Sequence, residues 1–249
     1  MLSVIPVKGI PDIKKGYNIG EIVAGKLKEQ GDSFQTGDIV VIAQKIVSKS
    51  EGMTVPLAKI VPSEFAKEIA SETEKDPRLV EVILRETKKI IRMRAGHLIT
   101  ETKHGFICAN AGVDQSNVGK GRGYVTLLPK NADASADRIR KSIHQLTGKT
   151  VPVIITDTFG RAWRLGHVNF AIGVSGLKPI RDYRGTRDMY GKTLQVTEMA
   201  VADELAGASE LVMNKADRVP VAIVRGYRGP KGNGRAKDLL RPEEIDLFR

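Results

Sequence analysis

The chain has 249 residues, 41% hydrophobic and 28% charged, with 40 Lys and Arg against 29 Asp and Glu for a formal net charge of +11. This composition suits a folded globular protein and excludes a disordered one, and no apolar stretch approaches the roughly 18 residues that cross a bilayer. The single cysteine, Cys108, excludes an intramolecular disulfide framework, so the reading is a cytoplasmic protein, with no basic-then-apolar leader at its start.

Residues 2–7 read as a short strand and 9–13 (GIPDI) as a loop, followed by a helix over 21–30. Residues 38–46 (DIVVIAQKI) read as a buried strand entering a polar loop at 47–52. Helical periodicity covers 63–92. Asp76 suits an N-cap within it and Pro77 a first helical position, so two helices meet there. Residues 98–102 and 105–110 read as paired strands, and 133–146 as a helix stopped by Gly148. Residues 151–155 form a buried strand, followed by a Gly- and Arg-rich segment to Lys192. A helix over about 196–205 precedes a last core strand at 219–224 and a basic glycine-rich loop, RGYRGPKGNGR. The order lacks clean βαβ alternation, so the fold class is α/β of the mixed α+β kind. It forms a single domain over 1–249, and the polar interruption at 112–130 divides it into two lobes.

Two apolar runs end in an isolated acid: FICANAGVDQSN in Asp114 and VPVIITDT in Asp157. An Asp just past a buried strand is where α/β enzymes place metal ligands and phosphate-binding groups, on a rigid scaffold. It is equally an ordinary turn or N-cap residue. The neighbours favour chemistry. Asp114, Gln115, Ser116 and Asn117 offer four oxygen-bearing side chains in a row, and Thr158 adds a hydroxyl beside Asp157. Hard cations such as Mg²⁺ or Mn²⁺ take one or two carboxylates and leave room for phosphate oxygens. Lys45 and Lys49 follow one strand end, Arg161 and Arg164 the other, as phosphoryl transfer requires.

Other features narrow the choice. There is no GxxxxGK[ST], no strand-linked GxGxxG, no HExxH and no CxxC. The segment GKGRG at 119–123 is basic and glycine-rich without being a P-loop. Cys108 reads as a buried structural thiol. The four histidines lack metal-ligand spacing, and only His167, in the basic segment, is a candidate for an anionic substrate. Residues 160–192 hold seven Lys or Arg against two Asp, a surplus of five. Nucleic acid is the generic partner for such a patch, but aromatics are only 5% and scattered. A nucleoside triphosphate explains the charge equally well and gives the aspartates a role.

Five segments in order, GIPDI (9–13), AQKIVSKSEG (43–52), ANAGVDQSN (109–117), TDTFGRAWRLG (156–166) and LQVTEMAVADELAGASELV (194–212), resemble the gamma-glutamyl ligases of the deazaflavin coenzyme F-420. The similarity spans about residues 5–228. It implies the archaeal single-domain form, because bacterial relatives carry an added nitroreductase-like domain. The implied fold is an irregular mixed-sheet architecture peculiar to the family, neither P-loop nor Rossmann. The implied reaction is GTP-dependent addition of L-glutamate to the coenzyme F-420 precursor through an acyl phosphate, with further glutamates γ-linked. It would use Mg²⁺ or Mn²⁺ with K⁺ as a helper, in a homodimer, without nucleic acid or membrane partners.

Carried onto this chain, the resemblance makes Asp114 and Asp157 metal ligands, with Thr158 near a second metal. Ile10, Pro11, Asp12, Ile13, Gln44, Lys45, Lys49, Asn117, Met213, Asn214 and Lys215 would contact the nucleotide. Arg161, Arg164 and His167 would receive the precursor, and no catalytic acid or base is assigned. One stretch departs: the family pattern has a Gly and an acidic or amide residue where Asn214 and Lys215 stand, leaving Glu210 as the nearby substitute ligand. Two further readings share these residues, another metal-dependent nucleotide phosphotransferase or hydrolase and a basic RNA-binding module.

Overall fold

Strands of nearly uninterrupted β-branched residues form the centre of the protein. The computed structural model describes residues 1–116 and 123–248. In chain order the principal elements are β1 (Ser3–Pro6), α1 (Ile19–Glu29), β2 (Ile39–Ala43), α2 (Gln44–Ser50), β3 (Thr54–Pro56), α3 (Glu64–Thr73), α4 (Pro77–Glu86), β4 (Thr87–Arg94) and β5 (His97–Thr102). There follow β6 (Ile107–Ala109), β7 (Tyr124–Thr126), α5 (Ala132–Thr147), β8 (Val153–Arg161), β9 (Arg164–Ser175), β10 (Arg181–Asp182), β11 (Glu198–Met199), α6 (Val201–Met213) and β12 (Val221–Arg225).

The central sheet has the order β1-β12-β2-β8-β9. Its pairs are antiparallel except β2 and β8, which run parallel. Four successive residues of β2 are buried. Such a strand is covered on both faces, which is why it lacks polar alternation. Helix α5 packs against β8 and β9, and α6 against β9, β12 and β1. β9 is an edge strand, and helix carboxylates close part of that edge. The Ala171 amide donates to Asp203 of α6 at 2.8 Å and the Val174 amide to Asp133 of α5 at 2.7 Å. A second apolar cluster joins Ile69, Val80, Ile83 and Leu98, with Val125 of β7.

Local signals explain several boundaries. The Asp76 side chain accepts from the Arg78 amide and Pro77 begins α4, while Gly148 at φ 68° ends α5. Other expectations fail. The helical pattern assigned up to residue 92 stops at Glu86, and 87–94 is β4, paired with β5. Ala95 (φ 49°) and Gly96 (φ 75°) make the turn with two positive φ angles that suits the twist of a hairpin. The strand expected over 38–46 ends at Ala43, and residues 44–50 form α2 instead of a strand end and loop. The helix expected over 196–205 starts at Val201 and runs to Met213. The Gly- and Arg-rich segment is largely a hairpin: β8 continues to Arg161, turns at Trp163 (φ 57°) and returns as β9.

The architecture is the mixed α+β one expected, with a single parallel pair in the central sheet instead of a doubly wound sheet. No helix among the described residues is long and apolar enough to cross a membrane.

Candidate functional site

The parallel β2–β8 ladder ends with Ala43 opposite Thr156. Asp157 is the next residue, at the carboxyl end of the parallel pair, where open α/β sheets bind ligands. It is not past the end of its own strand, as the sequence suggests, because β9 continues to pair with β8 as far as Arg161. On the neighbouring strand the chain turns directly into α2, placing Lys45 in its first turn.

Asp114 arrives from the segment between β6 and β7, next to Val113 of the second apolar cluster. Asn110 (φ 55°), Ala111 (φ 52°) and Gly112 (φ 71°) are three successive residues in the left-handed region, an expensive turn for the two that carry a Cβ. The backbone then locks onto β7, with Asp114 N–H to Thr126 O at 3.0 Å and Thr126 N–H to Asp114 O at 2.8 Å. This aims the Asp114 carboxylate at Lys45, whose Nζ lies 2.7 Å from Oδ2. The same ammonium donates to the carbonyl and hydroxyl of Ser116, both at 2.8 Å. Ser116 in turn gives its amide to Asp114 Oδ1 at 2.6 Å and its hydroxyl to Oδ2 at 3.0 Å.

The two carboxyl groups are shifted in opposite directions. Burial pushes Asp114 up, but Lys45 and Ser116 outweigh it and keep the carboxyl below its ordinary value. Asp157 keeps some solvent contact yet is surrounded by protein. Burial, reinforced by the charge on Asp114, pushes it up to about 6, against the Thr158 amide, Lys45 and Lys215. Burial, with the Asp157 charge adding to it, drives the Cys108 thiol up to about 12, so Cys108 is the inert structural thiol expected.

A divalent cation would relieve the repulsion between the aspartates. Among the described residues no three His, Cys, Asp or Glu side chains assemble around one point. Two carboxylates are within the one or two that a hard cation such as Mg²⁺ takes from protein when water and phosphate oxygens complete its shell.

Beyond Asp157, Thr158 donates to Asn169 Oδ1 at 2.6 Å, and Asn169 Nδ2 donates to Glu210 Oε2 at 2.8 Å. Lys215 Nζ reaches into this group to Thr158 Oγ1 and to Glu210 Oε1 at 3.2 Å. Asn169 is a site residue that sequence reasoning missed. Strand alternation in HVNFAIGVS was the available signal, hidden by the basic composition before it.

A cleft of about 690 Å³ opens between the loop after β1 and the stretch after α6, lined by Lys8, Gly9, Ile10, Val212, Asp217 and Arg218 among others. Of the residues assigned to the nucleotide, Ile10 lines this cleft, whereas Met213, Asn214 and Lys215 do not. Pro11 and Asp12 are exposed, and Asp12 pairs with Lys49 at 3.3 Å. Ile13 and Met213 are buried in the main core. Gln44 is buried and accepts from Ser48 at 2.8 Å, with its Nε2 unpartnered. Asn214 donates to Asp217 at 2.9 Å. Asn117 and most of GKGRG lie outside the described residues. Arg161, Arg164 and His167 are not brought to the aspartates. They flank the hairpin tip, and the four steps from Asp157 to Arg161 span about 13 Å of strand.

A profile of the family described as F420-0:Gamma-glutamyl ligase matches residues 9–226. The chain is 48% identical over 251 residues to the coenzyme F420:L-glutamate ligase of Methanothermobacter thermautotrophicus, covering 100% of this chain and 99% of that one. It is 48% identical over 243 residues to the protein of that name from Methanocaldococcus jannaschii, covering 96% and 94%. With the Archaeoglobus fulgidus protein of that name the identity is 40% over 249 residues, covering 100% and 96%.

Proposed function

The chain belongs to the F420-0:gamma-glutamyl ligase family, and from that premise we propose that it joins L-glutamate to the coenzyme F420 precursor with GTP as co-substrate. The observation that carries the reading is the convergence of Lys45, Asp114 and Asp157 at the carboxyl end of the β2–β8 pair. Asp114 and Asp157 would hold Mg²⁺ or Mn²⁺, with the Thr158 hydroxyl adjacent. When bound, that cation neutralises phosphate oxygens and the charge that develops on transfer. Lys45 and Lys49 supply further positive charge, and the cleft beside Ile10 and Arg218 offers room for the nucleotide.

The reaction needs two displacements. An oxygen of the precursor carboxylate attacks the γ-phosphorus, and the bond to the β-phosphate oxygen breaks, releasing GDP. The glutamate amine then attacks the acyl carbon, inorganic phosphate leaves with the C–O electron pair, and the amine loses a proton. Two anions must meet in the first step, so a site rich in fixed positive charge lowers its barrier mainly by positioning and charge neutralisation. Arg161, Arg164 and His167, about 13 Å along the strand, suit the distal anionic groups of a long precursor.

Potassium belongs to this proposal as a helper ion, and a homodimer as the working assembly. Exposed Trp163, Leu165, Met189, Tyr190 and Val196 support the homodimer, since apolar side chains left in water favour a partner surface. The test is direct. Purified protein given GTP, glutamate and precursor should add glutamyl mass units and release GDP only when Mg²⁺ or Mn²⁺ is present. No mass gain, or equal turnover in chelator, sinks the reading.

A further inference from the structure

Thr158 is expected, by family resemblance, to sit beside divalent metal, yet its hydroxyl is already engaged by an ammonium. Lys215 Nζ donates to Thr158 Oγ1 and lies 3.3 Å from Asn169 Oδ1 and 3.2 Å from Glu210 Oε1. The three oxygens come from β8, β9 and α6 and are tied together by the Thr158–Asn169 and Asn169–Glu210 hydrogen bonds. An ammonium has three N–H donors and no acceptor, so three converging oxygens satisfy it. The set is a poor match for a second Mg²⁺, because only one of the three oxygens is a carboxylate and an existing positive charge stands among them.

The placement of Lys215 is built into the chain. Asn214, at φ 49°, terminates α6 and donates to Asp217 at 2.9 Å. This turns the backbone so that the next side chain points back across the sheet to β8. Thr158 follows Asp157 in β8, so the ammonium bonds to the residue next to the carboxylate assigned to the single metal. Lys215 is exposed, so a phosphate can reach it.

We propose that the Lys215 ammonium stands in for a second divalent cation, so that each chain binds one divalent ion and supplies the second positive charge against the nucleotide phosphates itself. This rests on the metal site at Asp114 and Asp157 argued above, and it changes what the reaction requires. Only one metal ion must be recruited per turnover, and the other positive charge is covalently attached and cannot be lost to a chelator.

Native mass spectrometry of the full chain with Mn²⁺ and GTP counts the ions held per nucleotide-bound chain. One Mn²⁺ is expected. None would overturn the metal reading itself, whereas two would leave that reading intact and overturn the role of Lys215. Lys215→Glu replaces the ammonium with a carboxylate next to Glu210, and the count should rise to two. A count that stays at one overturns the idea that Lys215 occupies a cation position. Lys215→Met should keep one Mn²⁺ and bind GTP about tenfold more weakly, because one positive charge is lost from the field around the phosphates. Unchanged GTP affinity would remove the phosphate-facing role. Because Lys215 is exposed, circular dichroism of both variants should match the parent.

Discussion

Replacing Asp157 by Asn should make the metal-free protein more stable and inactive at the same time. Burial, with the neighbouring Asp114, raises the Asp157 carboxyl from 3.8 to about 6. A group raised in the folded state contributes stability that is present below its unfolded value and lost as pH rises through its folded value. The window therefore runs from 3.8 to about 6. A displacement of about 2 units corresponds to about 3 kcal/mol once the group is fully ionised. Asn never carries the charge, so the advantage of Asp157→Asn grows by about 2 kcal/mol between about pH 4.5 and about pH 8. Denaturant unfolding of both proteins in chelator measures that difference, in which the titrations of other groups cancel. A variant no more stable than the parent at the higher pH, or an advantage that shrinks as pH rises, refutes the account of a buried carboxylate held for a cation. Saturating Mn²⁺ should reverse the order, because a ligand that binds only the Asp form stabilises it by mass action.

Asp114→Asn should lower turnover by about a hundredfold or more while leaving the circular dichroism spectrum unchanged, since the fold does not need that charge. Near-parental turnover would remove Asp114 from the site. Arg225 makes a bidentate contact with buried Asp38, both bonds at 2.9 Å, and a second pair with Asp32 at 3.1 Å. Arg225→Met should cost about 3 kcal/mol by leaving Asp38 buried and unpaired, and a loss below about 0.5 kcal/mol in denaturant unfolding would show the pair to be idle. Arg161→Ala and Arg164→Ala should raise KM for the precursor several-fold with KM for GTP unchanged, and an effect on GTP instead would reassign the hairpin tip.

The parts of this molecule legible in sequence are those fixed by local physics. Residues 39–42 are an apolar run that only a covered strand tolerates, and Asp76-Pro77 is a helix start wherever it occurs. Helix α2 was less visible because it has only seven residues, and Lys45 and Lys49 make it look like loop. β4 carries Lys and Arg that suit a helix as well as a strand, and its pairing with β5 decides the matter. β9 begins in solvent, so its first half has no apolar periodicity to read. The site shows the same division. Asp114, Asp157 and Lys45 were identifiable by type, but Lys45 meets Asp114 across 69 positions, and only tertiary pairing makes that meeting. Asn169 and the reach of Lys215 to Thr158 depend on the hairpin and the turn after α6, which no short spacing encodes.

The carboxylates of Asp133 and Asp203 that receive the Val174 and Ala171 amides restrict how copies of this chain can meet. An open strand edge is a template for adding another strand, and here two of its donors are already consumed by the molecule's own helices. Dimers made by running one sheet into the next at this edge are disfavoured. Contact at this edge is left to side chains, including the exposed Trp163 and Leu165 at the hairpin tip. A surface of that kind can be altered one residue at a time without unravelling the sheet, so any contact made there can be tested by mutation apart from the fold.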